Sequence, residues 1–189
     1  MTVWVKDEIV QALEQVRVRV TAAVEGASVG IFERTIGASW SASGYLKHLI
    51  LSVKPTARAF QLPENKLGEM FGVADHPSRS YDEVVAMYSA RLAEGVRAED
   101  MPPVLPVSYR MPEGVTDEKA HLIEAWNTGC LRLIEALTSI SETALDTYQL
   151  PHPAAGLLTL REMLFFTIHH NTMHAGDIER SLASAVGAN

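Results

Sequence analysis

Residues 159–178 read TLREMLFFTIHHNTMHAGDI, and this stretch decides the fold. It opens with Thr159 and Glu162, a hydroxyl and a carboxylate three residues apart that can cap a helix N-terminus reciprocally. Apolar residues then recur at helical steps with no proline to interrupt them, which is typical of an α-helix. We therefore predict a helix that begins at Thr159 and continues to about Ala183.

Two histidines of this predicted helix share one face. His170 and His174 are four residues apart, so their Cβ atoms should lie about 6 Å from each other. This spacing lets two imidazoles bind one metal ion, whereas His169 points about 100° away around the helix and cannot join them. Thr167 and Asp177 extend the same polar stripe, although neighbouring phenylalanines demand burial. Something must therefore satisfy these polar groups.

A third histidine lies on an earlier predicted helix, from about Ala42 to Phe60. His48 occupies a stripe of small and polar residues, where a helical bundle would favour leucine. If the two helices are adjacent, His48 completes a three-histidine site with His170 and His174. Three neutral imidazoles with an open position are typical of a catalytic metal site, and zinc or nickel suits these ligands. The spacing alone also fits surface or hydrogen-bonded core histidines, so both interpretations stay open at this point.

The rest of the chain predicts further helices and no convincing strand. Amphipathic helices are expected over Val5–Val24, from a capping box at Ser80, and from about Thr116, with Ser41 as the N-cap of the histidine-bearing helix. Pro55 should kink that helix or end it early. These lengths predict an all-α bundle. The two long connections, over residues 61–79 and 98–115, should cross the bundle or cover a site.

Composition excludes several classes of protein. The chain has 189 residues and a net charge of −7, so it lacks the basic surface that nucleic acids or anionic membranes require. Its single cysteine, Cys130, allows no internal disulfide, which favours a reducing cytoplasm. The N-terminal residues lack the pattern of a secretory signal. We expect a cytoplasmic protein with one domain over residues 1–189, without a nucleic-acid or membrane partner.

Two sequence blocks carry a resemblance to a known family. The first is Trp40-Ser41 followed by Leu46, His48 and Leu49, and the second runs from Pro153 and Gly156 through Leu158-Thr159 and Glu162 to His170, His174, Gly176, Asp177 and Ile178. Together they resemble the DinB/YfiT-like family of bacterial metalloenzymes. The blocks depart from the family pattern at Gly44, where the family usually has Glu, and at Asp177, where it usually has Gln.

The resemblance implies an up-down-down-up four-helix bundle, here with one additional helix and long crossover loops. It implies that His48, His170 and His174 are the metal ligands. Members of this family are often homodimers. The characterised ones include thiol-dependent S-transferases and a mycothiol-dependent isomerase.

The leading functional hypothesis is a metal-dependent enzyme that acts on a small-molecule substrate. A three-histidine site would bind a divalent metal ion, zinc or nickel, and activate a low-molecular-weight thiol that attacks an electrophile. The alternatives are a non-catalytic bundle that binds a small ligand and a hydrolase that uses metal-bound water. No catalytic residue is assigned. Cys130 is interpreted as core filling, and His152 as a solvated loop residue.

Overall fold

The computed structural model describes residues 4–97 and 101–187. The start of the N-terminal segment, residues 1–3, and the start of the second long connection, residues 98–100, lie outside the described residues. The helices and strands have the following bounds: α1 Lys6–Glu25, α2 Val29–Glu33, α3 Ala42–Phe60, α4 Glu64–Phe71, α5 Tyr81–Ala93, α6 Glu118–Ser139, α7 Glu142–Thr147, β1 Gln149–His152, β2 Gly156–Thr159 and α8 Leu160–Gly187.

Four long helices form the bundle. Helices α1 and α3 each pack against both α6 and α8, and α5 lies against the side of α8. Large apolar side chains fill the space between them, among them the fully buried Trp126 of α6 and Phe165 of α8. The predicted all-α bundle is confirmed, and α5 is its additional helix. No helix in the described ranges is long and apolar enough to cross a membrane.

Side-chain caps fix the helix starts that the sequence predicts. The Ser41 hydroxyl accepts a hydrogen bond from the Gly44 N–H at 3.1 Å. Thr159 and Glu162 form the predicted reciprocal pair, because the Glu162 N–H donates to the Thr159 hydroxyl at 3.1 Å and the Thr159 N–H donates to the Glu162 carboxylate at 3.0 Å. Each cap satisfies amides that have no partner within the helix. The caps therefore fix the starts of α3 and α8, the two helices that carry His48, His170 and His174.

Proline does not end helix α3 early. The helix continues through Pro55 to Phe60, and the side chains of Val53, Ala57 and Phe60 are buried on both sides of the proline. A proline removes one helical hydrogen bond. The apolar contacts on either side of the proline outweigh that loss. The position of a proline in the sequence does not by itself predict such contacts.

The expectation that the chain has no strand is wrong in one place. Strands β1 and β2 form an antiparallel hairpin, in which Leu150 pairs with Leu158, and both leucines are buried. Pro151 lies within β1, which a two-stranded ribbon tolerates because each strand has a free edge. Two further departures concern the long connections: α4 occupies the first, and two 3₁₀ helices, Pro102–Val104 and Pro106–Ser108, occupy part of the second.

Candidate metal centre

The structure brings the three predicted histidines together. His48 lies in the middle of α3, and His170 and His174 lie one turn apart on α8, which packs against α3. Their exposed fractions are 2%, 5% and 9%. One ring nitrogen of each lies within 4.8 Å of the others. The Nε2 atoms of His48 and His170 are 3.0 Å apart, so the three rings converge on one point.

Each of the three imidazoles has its Nδ1 atom against an oxygen acceptor. For His48 the acceptor is the Val104 carbonyl at 2.8 Å, for His170 it is the Asn171 Oδ1 atom at 3.3 Å, and for His174 it is the Asp177 carboxylate at 2.8 Å. An oxygen acceptor requires a proton on Nδ1, which leaves the lone pair of a neutral ring on Nε2. The surroundings therefore orient the three rings as metal-ligating histidines are oriented in proteins.

The donor set fits a divalent cation. Burial lowers the pKa of His170 well below its ordinary value, and His174 and His48 lower it further, so this ring is neutral. Two neutral rings whose Nε2 lone pairs approach to 3.0 Å repel each other unless a cation or a proton lies between them. Nitrogens bound tetrahedrally at about 2.0–2.1 Å from zinc lie about 3.3–3.4 Å from each other. The separation of the His48 and His170 nitrogens is within a few tenths of an ångström of that value.

Two aromatic side chains shield the cluster on one side. The Trp40 ring lies 5.3 Å from the His48 ring, and the Tyr45 ring lies 5.6 Å from the His174 ring, measured between centroids. Residue 44 is glycine, and a Cβ atom there would stand 3.0 Å from the Trp40 Cβ atom. Gly44 therefore lets Trp40 pack closely over the first turn of α3.

Asp177, which stands where the DinB/YfiT pattern usually has Gln, lies behind the His174 ring. Its carboxylate accepts from His174 and also from the Arg180 guanidinium. Partial burial raises the pKa of Asp177, but these two hydrogen bonds outweigh burial and hold it below its ordinary value. Asp177 is therefore ionised at neutral pH, where it fixes the His174 ring and supplies negative charge beside the cluster.

A cavity of about 350 Å³ adjoins the cluster and includes His48 and His170 in its wall. We call it the apolar cavity, because aliphatic and aromatic side chains form most of the wall. These include Leu51, Val53, Leu92, Val104, Met163 and Phe166. A second cavity of about 330 Å³ is lined by Trp40, Tyr45, Asp177, Arg180 and several serines, and none of the three imidazoles forms part of its wall.

His152 also lines the apolar cavity, contrary to its interpretation as a solvated loop residue. Its ring lies 4.0 Å from the Phe166 ring, and its Nδ1 atom accepts from the Ala154 N–H. Burial lowers the pKa of His152 to about 4. In the sequence this histidine stands between two prolines, which is typical of a loop. The β1–β2 hairpin places its side chain against Phe166 instead.

The remaining candidates lie apart from the cluster. His169 faces Tyr88 at 6.1 Å between ring centroids, and His121 hydrogen-bonds to the Tyr109 hydroxyl. Cys130 is buried, and burial raises the pKa of its thiol far above neutrality, which agrees with core filling. Sequence reasoning missed Val104 and Asn171. The only sequence signal for Asn171 was its place next to His170, and nothing local marks a backbone carbonyl such as that of Val104.

Comparison with known proteins gives the family. None of the curated proteins compared with the chain matches it significantly. A family model described as the DinB superfamily matches residues 12–178, a span that includes α3, the first two thirds of α8 and all three histidines. The helical bundle and the position of the histidine motifs agree with this match, and the chain belongs to the DinB superfamily.

Proposed function

We propose that this protein is a metal-dependent transferase in which His48, His170 and His174 bind a divalent ion, zinc or nickel, and a low-molecular-weight thiol is the nucleophile. The observation that carries the metal site is the convergence of three buried imidazoles within 4.8 Å, each with an oxygen acceptor behind it. Surface histidines rarely have this combination of burial and orientation.

The residues around the cluster have separable tasks. His48, His170 and His174 hold the ion, while the Val104 carbonyl, Asn171 and Asp177 fix the ring orientations. The apolar cavity beside His48 and His170 holds the substrate and limits the access of water. A divalent ion bound there supplies electrostatic stabilisation of a thiolate at neutral pH. Membership of the DinB superfamily supports the thiol step, since characterised members include thiol-dependent S-transferases.

The reaction class is nucleophilic substitution at a substrate carbon by a thiol sulfur. The thiol sulfur forms a bond to an electrophilic carbon of the substrate, the leaving group departs with the electron pair of the broken bond, and the thiol proton passes to solvent. We assign no general acid or base among the side chains. The same family resemblance supports a bacterial homodimer, and the single cysteine and the chain length support a cytoplasmic protein with one domain over residues 1–189.

Metal content tests the first half of the proposal. Protein purified without an affinity tag should contain about one divalent ion per chain, and His174→Ala should lose most of it. His169→Ala is the matched control, because His169 lies on the same helix but faces Tyr88. Wild-type protein that is metal-free and cannot be loaded with zinc or nickel would contradict the metal site.

A conjugation assay tests the thiol step. Metal-loaded protein is mixed with glutathione, mycothiol or bacillithiol and with a set of electrophiles, and loss of free thiol is followed against a His174→Ala control. Turnover that needs both metal and thiol is expected. Hydrolysis without thiol would favour the hydrolase instead, and stoichiometric metal with no turnover would favour a bundle that only binds a small ligand.

A further inference from the structure

One buried donor beside the three-histidine cluster has no partner. The Nδ2 atom of Asn171 is the buried side-chain nitrogen or oxygen that lacks a hydrogen bond among the described residues. Asn171 is 1% exposed and forms part of the wall of the apolar cavity. A buried amide donor without an acceptor is unfavourable and uncommon in folded proteins, so this group points to an absent acceptor.

The carboxamide of Asn171 is held in one orientation. Its Oδ1 atom faces the Nδ1 atom of His170 at 3.3 Å, and that nitrogen carries a proton when the Nε2 atom binds metal. A flipped amide would place two donors against each other. The oxygen of Asn171 therefore orients His170, and its nitrogen is left without an acceptor among the described residues.

Three of the four hydroxyl groups in the cavity wall are already committed, and the fourth, that of Tyr88, has no hydrogen-bond partner among the described residues. Ser52 donates to the His48 carbonyl, Thr56 to the Ser52 carbonyl and Thr167 to the Met163 carbonyl. The one charged side chain in the wall, Arg97, is exposed and donates to the Leu92 and Val96 carbonyls. The wall therefore offers a large apolar surface with the Asn171 amide as its buried, unpartnered donor.

We infer that the apolar cavity binds an uncharged, mainly apolar molecule with a carbonyl oxygen, and that the Nδ2 atom of Asn171 donates to this oxygen. Ligand sites are commonly apolar with a few polar groups that set orientation. Because Asn171 follows His170 in α8, the hydrogen bond would hold the carbonyl end of the molecule beside the three-histidine cluster. This inference deepens the proposed function and rests on it for the identification of the bound molecule as the substrate.

A pair of isosteric probes tests the inference. 4-Phenylbutan-2-one carries a carbonyl oxygen, and (3-methylbutyl)benzene has a methyl group in its place. Binding is measured on zinc-loaded protein with ¹³C-methyl methionine NMR, because the bound ion keeps the His170 proton on Nδ1 and the Asn171 oxygen against it. Met163 and Met101 line the cavity, and Met70, which is 60% exposed, reports non-specific effects. The quantity compared is the ratio of the two dissociation constants, hydrocarbon to ketone.

Replacing Asn171 should remove the preference for the ketone. In Asn171→Leu the ratio should fall about fivefold to tenfold relative to wild type, which is the range expected for one hydrogen bond. Asn171→Asp, measured at pH 8, keeps an oxygen for His170 but has no donor, so the ratio should fall in the same way. Asn65→Leu, the same substitution at an exposed position of α4, should leave the ratio unchanged.

Two results would overturn the inference. The first is a ratio that stays the same in both Asn171 variants, as it would if His152 or the Tyr88 hydroxyl bound the carbonyl. The second is the absence of binding of both probes to wild type, with no shift at Met163 or Met101. Zinc uptake is measured separately on each variant. Wild type that takes up no zinc would refute the metal proposal, whereas wild type that takes up zinc but gives the same ratio as both Asn171 variants would refute this inference alone.

Discussion

Helix α8 contributes buried polar side chains to two clusters that differ in how their groups are satisfied. The first, which we call the carboxylate–guanidinium cluster, lies at the start of the helix and consists of Arg79, Glu142, Asp146, Arg161 and Glu162. The second is the three-histidine cluster, about 12 Å further along the helix axis. Both contain side chains that a hydrophobic core normally excludes.

In the carboxylate–guanidinium cluster every charge has an opposite partner. Glu162 is fully buried, and its two oxygens accept from the Arg79 backbone N–H, from two guanidinium nitrogens of Arg79 and from the Thr159 N–H. Arg161 is 3% exposed and donates to Asp146, Glu142 and the Trp4 carbonyl. This cluster is complete within the chain and leaves nothing for a ligand to supply.

In and around the three-histidine cluster, by contrast, some hydrogen-bonding capacity has no partner among the described residues. Two Nε2 lone pairs face each other at 3.0 Å, and the neighbouring Asn171 amide has no acceptor. The comparison teaches that burial of polar groups does not by itself mark a functional site. What distinguishes the three-histidine cluster is buried hydrogen-bonding capacity that the described residues leave unsatisfied. Replacing a member of the carboxylate–guanidinium cluster should therefore lower the free energy of unfolding of the protein. Replacing a member of the three-histidine cluster should leave it nearly unchanged in the absence of metal.

The largest effect on stability is expected at Glu162. Glu162→Gln removes the charge that faces Arg79 and should lower the free energy of unfolding by about 3 kcal/mol, the lower end for a broken buried pair, because Arg79 is partly exposed. Thermal unfolding at neutral pH measures it. Glu94→Gln is the control, since Glu94 forms an exposed pair with Arg91 and should cost about 0.5 kcal/mol or less. A loss at Glu162 as small as at Glu94 would contradict the comparison.

The second prediction concerns stabilisation by metal. Zinc at about 100 times its dissociation constant should stabilise wild type by about 2.7 kcal/mol, and His174→Leu should abolish this gain. In metal-free protein the same substitution should change stability by less than about 1 kcal/mol, because it replaces a buried imidazole with an apolar side chain and Asp177 keeps its bond to Arg180. A metal-free loss of several kcal/mol would mean that the three-histidine cluster is structural.

The sequence predicted the elements of the fold better than the completeness of either cluster. The four bundle helices, their caps and the face shared by His170 and His174 follow from local patterns that act over one or two turns. The prediction that His48 joins them needed the assumption that α3 lies against α8. The Val104 carbonyl, the inward turn of His152 and the Arg79–Glu162 pair depend on contacts between distant segments, which periodicity does not encode.

The third prediction concerns His152 in the wall of the apolar cavity and the pH dependence of stability. The pKa of His152 is about 4 in the folded protein because burial disfavours its charged form, whereas an unfolded chain binds the proton near pH 6.5. The unfolded state therefore binds more protons between these values, and stability falls as the pH drops from about 6.5 to 4, by on the order of 2 kcal/mol at pH 5. His152→Asn should remove this part of the pH dependence in metal-free protein.

The contribution of the carboxylate–guanidinium cluster to the stability of the protein should be lost at a lower pH than that of His152. Burial raises the pKa of Glu162, but the hydrogen bonds from Arg79 and Thr159 outweigh burial and hold it below its ordinary value. Its contribution is therefore complete above the unfolded pKa of about 4.3 and is lost as the pH falls through the folded value. Unfolding curves of Glu162→Gln and wild type should thus converge below pH 4. Convergence already at pH 6 would contradict this assignment.

The smallest effect tests how Asp177 supports the three-histidine cluster. Asp177→Leu removes the acceptor behind His174 and should weaken zinc binding roughly tenfold, or about 1.4 kcal/mol. Asp177→Gln introduces the residue that the DinB/YfiT pattern usually has and keeps an oxygen acceptor, so its loss should be smaller. Arg180→Gln is the control, because Arg180 contacts Asp177 but is 70% exposed. Competition with a chromogenic chelator measures all three affinities, and equal binding by Asp177→Leu and wild type would show that His174 needs no acceptor.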